Sequence, residues 1–186
     1  MFRFAARTAI VAAVCVLTAC VSRADDTTLN VKVGDKFPEV PLTAAQIDKV
    51  KKGAKTLSIA DLKGKTVIIF FYPKALTGGC TVESCGFRDL MKGKDFPKDV
   101  VVLGASADDL KLQQQFIDKN ELPMPLLCDT DMKLIKELGI VAPKNAKVPQ
   151  RVTFVVNKEG KIAKIYDKVT PKSHPTEVLE FVKTLK

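Results

Sequence analysis

The fold is decided by the stretch TVIIFFYPKALTGGCTVESC, which runs from Thr66 to Cys85. Its first seven residues are β-branched or aromatic without interruption, which is typical of a strand covered on both faces in a parallel sheet. Pro73 ends that strand, and two glycines then allow a tight turn. An apolar pattern at helical spacing follows, so we expect Cys80 to lie in the first turn of a helix. The residues of that pattern are Val82, Cys85, Gly86 and Leu90.

A cysteine at this junction is placed where a thiolate is stabilised. The unpaired backbone N–H groups at the start of a helix favour an anion, and they populate the nucleophilic form of a thiol. Cys85 follows five residues after Cys80. On an intact helix this separation gives a rise of ~7.5 Å and a rotation of ~140°, whereas a disulfide needs Cα atoms within ~7 Å. A bond between them would require local unwinding, and two inert buried cysteines are the alternative that spacing leaves open.

These motifs resemble the peroxiredoxins, in particular the peroxiredoxin Q or bacterioferritin comigratory protein branch. Pro73, Thr77 and Cys80 match the family's Pro-x-x-x-Thr-x-x-Cys motif, and Cys85 stands where this branch places its resolving cysteine. The segment that begins at Arg151 resembles the family's arginine-plus-strand segment. The resemblance implies an α/β thioredoxin-like fold, with a central mixed sheet flanked by helices, and no cofactor.

The resemblance also implies a chemistry, the thiol-dependent reduction of hydrogen peroxide and organic hydroperoxides. Cys80 would attack the peroxide and become a sulfenic acid, which Cys85 would convert to a disulfide for a thioredoxin-like dithiol donor to reduce. The Thr77 hydroxyl could accept from the peroxide and donate to the thiolate. Arg151 would stabilise the developing charge, and Pro73 would shield the sulfur from water.

The resemblance covers roughly residues 31–186, with three departures. Gly78 replaces the proline usual after the motif threonine, Cys128 replaces a usual serine, and the segment from Thr43 to Lys55 is longer than the family's short turn. None of these removes a reacting group. Glu83 is expected only to interact with the helix dipole.

A copper-binding protein of the Sco type is the alternative function, with Cys80, Cys85 and His174 as ligands. Against it, the sequence separates the cysteines by four residues instead of three. Thiol-disulfide exchange of the thioredoxin type would want Cys-x-x-Cys, which is absent from this region. His174 by default caps a helix or is exposed, and Cys128 is interpreted as a buried inert thiol, with a second resolving cysteine as the alternative.

The N-terminus has the pattern of a secretory leader, a short basic stretch and then an apolar run from Thr8 to Ala19. Cleavage after a small-x-small site would remove residues 1–24, whereas a lipobox would remove residues 1–19 and lipidate Cys20. The second interpretation is favoured, and both predict an exported protein, periplasmic or lipid-anchored to the bacterial envelope. The peroxiredoxin domain is assigned to residues 25–186.

Composition and pattern fit one domain of this kind. The formal charge is +9, but the lysines are scattered rather than clustered with aromatic residues, so nucleic acid is not expected as a partner. A monomer is expected. Further strands are predicted over Val100–Ser106, Pro125–Cys128, Val152–Val156 and Ile162–Tyr166. Further helices are predicted to begin at Asp108 or Asp109, to cover Leu134–Leu138 and to begin at Pro175. A loop is predicted over Pro143–Gln150.

Overall fold

The computed structural model describes residues 29–185, so the predicted leader and Cys20 lie outside the described residues. The strands in chain order are β1 (Thr43–Ala45), β2 (Thr66–Phe71), β3 (Val100–Ser106), β4 (Leu126–Cys128), β5 (Val141–Ala142), β6 (Asn145–Pro149), β7 (Val152–Val156) and β8 (Ile162–Tyr166). The α-helices are α1 (Gly78–Met91), α2 (Leu110–Asn120), α3 (Lys133–Leu138) and α4 (His174–Thr184). Two short 3-10 helices cover Ile47–Lys49 and Ile59–Leu62.

Six strands form one mixed sheet in the order β1-β4-β3-β2-β7-β8. The three central strands β4, β3 and β2 are parallel, and the others are antiparallel to their neighbours. Every residue of β2 is buried, as its uninterrupted apolar sequence predicts. The predicted mixed sheet with flanking helices is therefore what the chain forms.

Two hydrophobic clusters cover the two faces of the sheet. Alternate residues of β2 belong to different clusters: Ile69 packs with α3, whereas Phe70 packs with side chains of α1, α2 and α4. The second cluster also contains Cys80 and Phe87, which stacks on Phe70 with ring centroids 4.7 Å apart. This stacking fixes α1 against the middle of the sheet, so the sheet positions the thiol.

Two short strands correct the sequence-based assignment. The predicted loop over Pro143–Gln150 contains β6, which pairs with β5 in a separate hairpin. Most of β6 is exposed, so no apolar alternation marked it. The long segment after Thr43 supplies β1, which pairs with β4 at the edge of the main sheet. β1 is thus defined by pairing with a strand distant in sequence, whereas β6 is defined by pairing within a local hairpin.

No helix within residues 29–185 is long and apolar enough to cross a membrane.

Candidate active site

The loop between β2 and α1 brings Cys80 to the end of the sheet. Cys80 is the third residue of α1, as predicted, and its side chain is only 1% exposed. Asp108 pins the loop, because its carboxylate accepts the Ala75 backbone N–H at 2.7 Å and the Ser106 hydroxyl at 2.8 Å. Leu76 in this loop has a left-handed backbone with φ of 64°, which costs free energy in a residue with a β-carbon.

Strand register places Arg151 over the thiol. Val152 is paired with Phe71, so the preceding residue reaches the carboxyl end of β2, where the loop to α1 begins. One guanidinium nitrogen, Nη2 of Arg151, donates to the Cys80 sulfur at 3.2 Å. A β-carbon on Gly79 would stand 3.4 Å from the same nitrogen, so the glycine leaves the guanidinium room beside the helix start.

Glu83 lies beneath the arginine and is fully buried. It follows Cys80 by three residues, which puts both side chains on one face of α1. Its carboxylate forms an ion pair with Nη1 of Arg151, so the arginine fork is divided between carboxylate and sulfur. Burial raises the pKa of Glu83 to about 7, although the Arg151 charge opposes that rise. The expected dipole role was wrong, because Glu83 contacts the arginine above the thiol.

His174 lies behind Glu83, contrary to the prediction that it would cap a helix or be exposed. It is 1% exposed, its Nε2 lies 2.8 Å from the Thr153 hydroxyl, and the same nitrogen is 4.0 Å from Oε1 of Glu83. The rings of Phe87 and Tyr166 meet the imidazole edge to face. Burial lowers the pKa of His174 to about 4, so the ring is neutral at pH 7.

The two remaining motif residues, Pro73 and Thr77, flank this loop. Thr77 is the N-cap residue of α1 by position, but its hydroxyl donates to the Lys74 carbonyl at 2.9 Å instead of to Cys80. Thr77 is exposed, so the hydroxyl is open to an incoming ligand. Pro73 is half-buried and lies two residues after the end of β2, close to the strand end that was predicted.

The other two described thiols differ from Cys80. Cys85 is half-buried on the same continuous helix and is free, so a bond to Cys80 requires α1 to unwind. Cys128 on β4 is buried, and burial raises its pKa to about 11.

The inner face of α1 differs from the one that the helical apolar pattern predicted, because Val82 is 49% exposed. That face consists of Cys80, Glu83, Ser84 and Phe87.

Residues 33–165 match the AhpC/TSA family. The chain belongs to this family. It is 32% identical over 163 residues to peroxiredoxin Bcp of Bacillus subtilis, covering 84% of this chain and 98% of that protein. Similar solved structures are those of peroxidoxin BcpB from Mycobacterium tuberculosis and peroxiredoxin Q from Xanthomonas campestris. The first has a TM-score of 0.71 at 26% identity, with 84% of this chain and 99% of that chain covered. The second has a TM-score of 0.69 at 27% identity, with 78% and 90% covered.

These relatives confirm the predicted peroxiredoxin Q/Bcp branch, and the solved structures confirm the thioredoxin-like α/β fold. The copper-binding alternative finds no support among these relatives. Within the described residues 29–185, no group of three or more His, Cys, Asp or Glu side chains could hold a metal ion. His174, the third ligand of that alternative, contacts Thr153 instead.

Sequence reasoning missed three residues of this site, namely Asp108, Glu83 and His174. The start of α2 was predicted at Asp108 or Asp109, and Asp109 is the N-cap, accepting the Leu112 N–H at 2.8 Å. Asp108 instead accepts the Ala75 N–H of the loop that carries Cys80. The spacing of three between Cys80 and Glu83 was the one usable signal, because it puts a carboxylate on the thiol face. The burial of His174 depends on contacts with α1 and β7, so no local pattern marks it.

Proposed function

We propose that this chain is a thiol-dependent peroxidase in which Cys80 is the nucleophile. The observation that carries the proposal is the 3.2 Å contact from Arg151 to a buried cysteine sulfur at the first turn of a helix. The fixed positive charge and the helix N-terminus both favour the thiolate. The peroxiredoxins named among its relatives support the same reaction class.

In the first step the Cys80 thiolate attacks one peroxide oxygen. A sulfur–oxygen bond forms, the oxygen–oxygen bond breaks, and the second oxygen leaves as hydroxide or alkoxide and takes up a proton. Sulfur is oxidised by two electrons to the sulfenic acid, and the peroxide is reduced. Arg151 lies where it can stabilise charge on the oxygens, and the exposed Thr77 hydroxyl can hydrogen-bond the peroxide.

In the second step Cys85 attacks the sulfenic acid, and water leaves as the disulfide forms. Both cysteines lie on α1, so the first turns of that helix must unwind before the sulfurs can meet. A dithiol donor of the thioredoxin type would then reduce the disulfide and restore the thiols.

The cycle is tested by adding one equivalent of hydrogen peroxide to the reduced protein and reading intact mass and peptide linkage. We expect a loss of two hydrogens with Cys80 joined to Cys85. Cys80→Ser should not turn over, and Cys85→Ser should complete one turnover without recycling. Cys128→Ser is the matched control and should behave as the wild type. Undiminished turnover in Cys80→Ser would contradict the proposal.

We further propose that the protein is exported and membrane-attached through a lipidated Cys20, on the support of the basic and apolar leader pattern. The mass of the mature N-terminus in a bacterial host tests this. A diacylglyceryl group that is lost in Cys20→Ser supports lipidation, whereas an unmodified chain beginning at Asp25 supports the other cleavage site. An intact leader would contradict both.

A further inference from the structure

The end of α2 contacts Cys85 directly. The Cys85 thiol donates to Oδ1 of Asn120 at 3.9 Å, and Asn120 is the last residue of α2. One helical turn away on α1, Arg88 donates from Nη1 to the backbone carbonyl of Asn120 at 2.8 Å. The Asn120 amide nitrogen donates to the Phe116 carbonyl at 3.0 Å, which fixes the amide orientation. Asn120 therefore ties the middle of α1 to α2 at the position of Cys85.

We propose that Asn120 is a positioning residue that holds Cys85 in its resting place and slows formation of the disulfide. The inference rests on the proposed function, in which Cys85 is the resolving cysteine. Asn120 touches neither peroxide nor Cys80 in this account, and it acts only through the thiol that it contacts.

Protonation of the Cys85 thiol and its hydrogen bond to Asn120 depend on each other. A thiol can donate to the amide oxygen of Asn120, but a thiolate has no proton to donate and is repelled by the oxygen lone pairs. Arg88 lies close enough to interact with charge on the Cys85 sulfur. Deprotonation, which makes Cys85 a nucleophile, therefore also ends its contact with Asn120.

Movement of Cys85 toward Cys80 breaks the same contact. The Cys85 sulfur attacks the sulfenic sulfur, a sulfur–sulfur bond forms and the sulfur–oxygen bond breaks. The hydroxide leaves as water with the proton that Cys85 gave up, so Cys85 is oxidised and the sulfenic sulfur of Cys80 is reduced. Because α1 must unwind for this step, the hydrogen bond from Cys85 to Asn120 is lost before the new bond forms.

A slower second step has a chemical consequence for the first cysteine. The sulfenic acid of Cys80 waits longer, and a second peroxide can oxidise it to a sulfinic acid. Asn120 would then set the peroxide concentration at which the enzyme is inactivated.

The test compares Asn120→Ala with Asn120→Asp. Both variants lose the amide donor to Phe116, but only the alanine variant loses the oxygen that Cys85 contacts. The reduced proteins are mixed with one equivalent of hydrogen peroxide, quenched with acid at intervals and read by intact mass. A thiol is a weak donor, so the low end of the usual hydrogen-bond range applies, and it predicts disulfide formation about 2-fold faster in Asn120→Ala with an unchanged rate of sulfenic acid formation. Asn120→Asp should be as slow as the wild type or slower.

Gln114→Ala on the same helix is the matched control, because it removes only an exposed hydrogen bond to Asp118. It should resolve at the wild-type rate. At excess peroxide, Asn120→Ala should also need a higher peroxide concentration for half-maximal sulfinic acid formation. Should the alanine variant fail to fold, Asn120→Leu keeps the branched shape of the side chain at a larger volume and tests the same lost acceptor.

Two failures are distinguishable. A wild-type protein that forms no bond between Cys80 and Cys85 would overturn the proposed function itself. A wild-type protein that forms the bond while Asn120→Ala resolves at the same rate, or more slowly, would overturn the role of Asn120 alone. Equal acceleration in Asn120→Ala and Asn120→Asp would also overturn it, because general loosening of α2 would then be the cause.

Discussion

Two buried thiols in this molecule have opposite surroundings. Cys80 is 1% exposed and Cys128 is 5% exposed, so burial alone does not separate them. Cys80 lies in the first turn of α1 and accepts from the Arg151 guanidinium. Cys128 ends β4, and the nearby charges that act on it are the carboxylates of Asp108 and Asp109.

The difference gives the physical reason for proposing Cys80, and not Cys128, as the nucleophile. Burial without a cation disfavours the thiolate, which is why the pKa of Cys128 rises to about 11. Cys80 is equally buried, but its sulfur accepts from a fixed guanidinium and lies beside the N–H groups of a helix start, which both favour an anion. The arginine is in turn held by a buried carboxylate, which has no counterpart at Cys128.

Removing the guanidinium should make the two thiols alike, and this is the largest effect that we expect. Arg151→Met should slow the reaction with hydrogen peroxide by about 10²- to 10³-fold, the usual effect of removing a donor that stabilises transition-state charge. Stopped-flow kinetics with peroxide in excess measures this rate. Lys74→Met, which removes an exposed charge from the same loop, is the control and should react at nearly the wild-type rate. Equal rates in the two variants would remove arginine from the mechanism.

The two buried polar residues near Cys80, Glu83 and His174, should give two opposite dependences of stability on pH. The folded-state pKa of Glu83 is raised to about 7 from 4.5, so the folded protein holds an extra proton between those values and is destabilised as pH rises through them. The pKa of His174 is lowered to about 4 from 6.5, so the unfolded chain holds the extra proton and stability falls as pH drops from about 6.5 to 4.

Single substitutions separate these dependences. With Glu83→Gln, the free energy of unfolding should increase as pH rises from 4 to 6.5, by up to about 3 kcal/mol. With His174→Gln it should decrease from pH 4.5 to 7, by a similar amount of about 3 kcal/mol. Urea unfolding at half-unit pH steps measures both, and the wild type should be flatter than either variant. Parallel profiles in all three proteins would show that neither group titrates as described.

The smallest effect that we expect is on the stability of the loop that carries Cys80. Cys128 lies on a strand and has no such loop. Gly78 is the first residue of α1, with no heavy atom within 4 Å of the place where a β-carbon would stand. Thr77 before it is extended, with φ of −86° and ψ of 155°, as a residue before proline prefers. Gly78→Pro should therefore raise the free energy of unfolding by about 0.4–1 kcal/mol.

Gly86→Ala is the matched substitution on the same helix. Its β-carbon would stand 2.8 Å from Cγ of Pro175, so it should lower stability where Gly78→Pro raises it. Thermal unfolding of both variants gives the comparison. A loss of stability in Gly78→Pro would mean that the backbone at this position is incompatible with proline.

The features that sequence predicted are those with a strong local signal. The burial of β2, its end at Pro73 and the position of Cys80 in the first helical turn follow from twenty consecutive residues. The approach of Arg151 to Cys80 followed from the family resemblance, since the two are separated by 71 positions along the chain. Nothing local to Arg151 marks that contact.

What the sequence did not predict depends on long-range packing. Glu83 was expected to interact with the helix dipole, and His174 to cap a helix or be exposed. Both are buried between α1, α4 and β7. Their burial is tolerated because Arg151 pairs with the carboxylate and Thr153 bonds the imidazole. Strand β1 was missed for the same reason, since its partner β4 is distant in sequence. Strand β6 was missed for a different reason, because most of its residues are exposed and show no apolar alternation.

The most direct measurement uses Cys85→Ser, in which an oxidised Cys80 has no resolving partner. The reduced variant is treated with one equivalent of hydrogen peroxide, the sulfenic acid is trapped with dimedone, and the modified peptide is located by mass spectrometry. We predict that the label lies on Cys80 and that Cys128 is unmodified. A label on Cys128, or one divided evenly between the two thiols, would contradict the claim that the guanidinium and the helix start select the reactive cysteine.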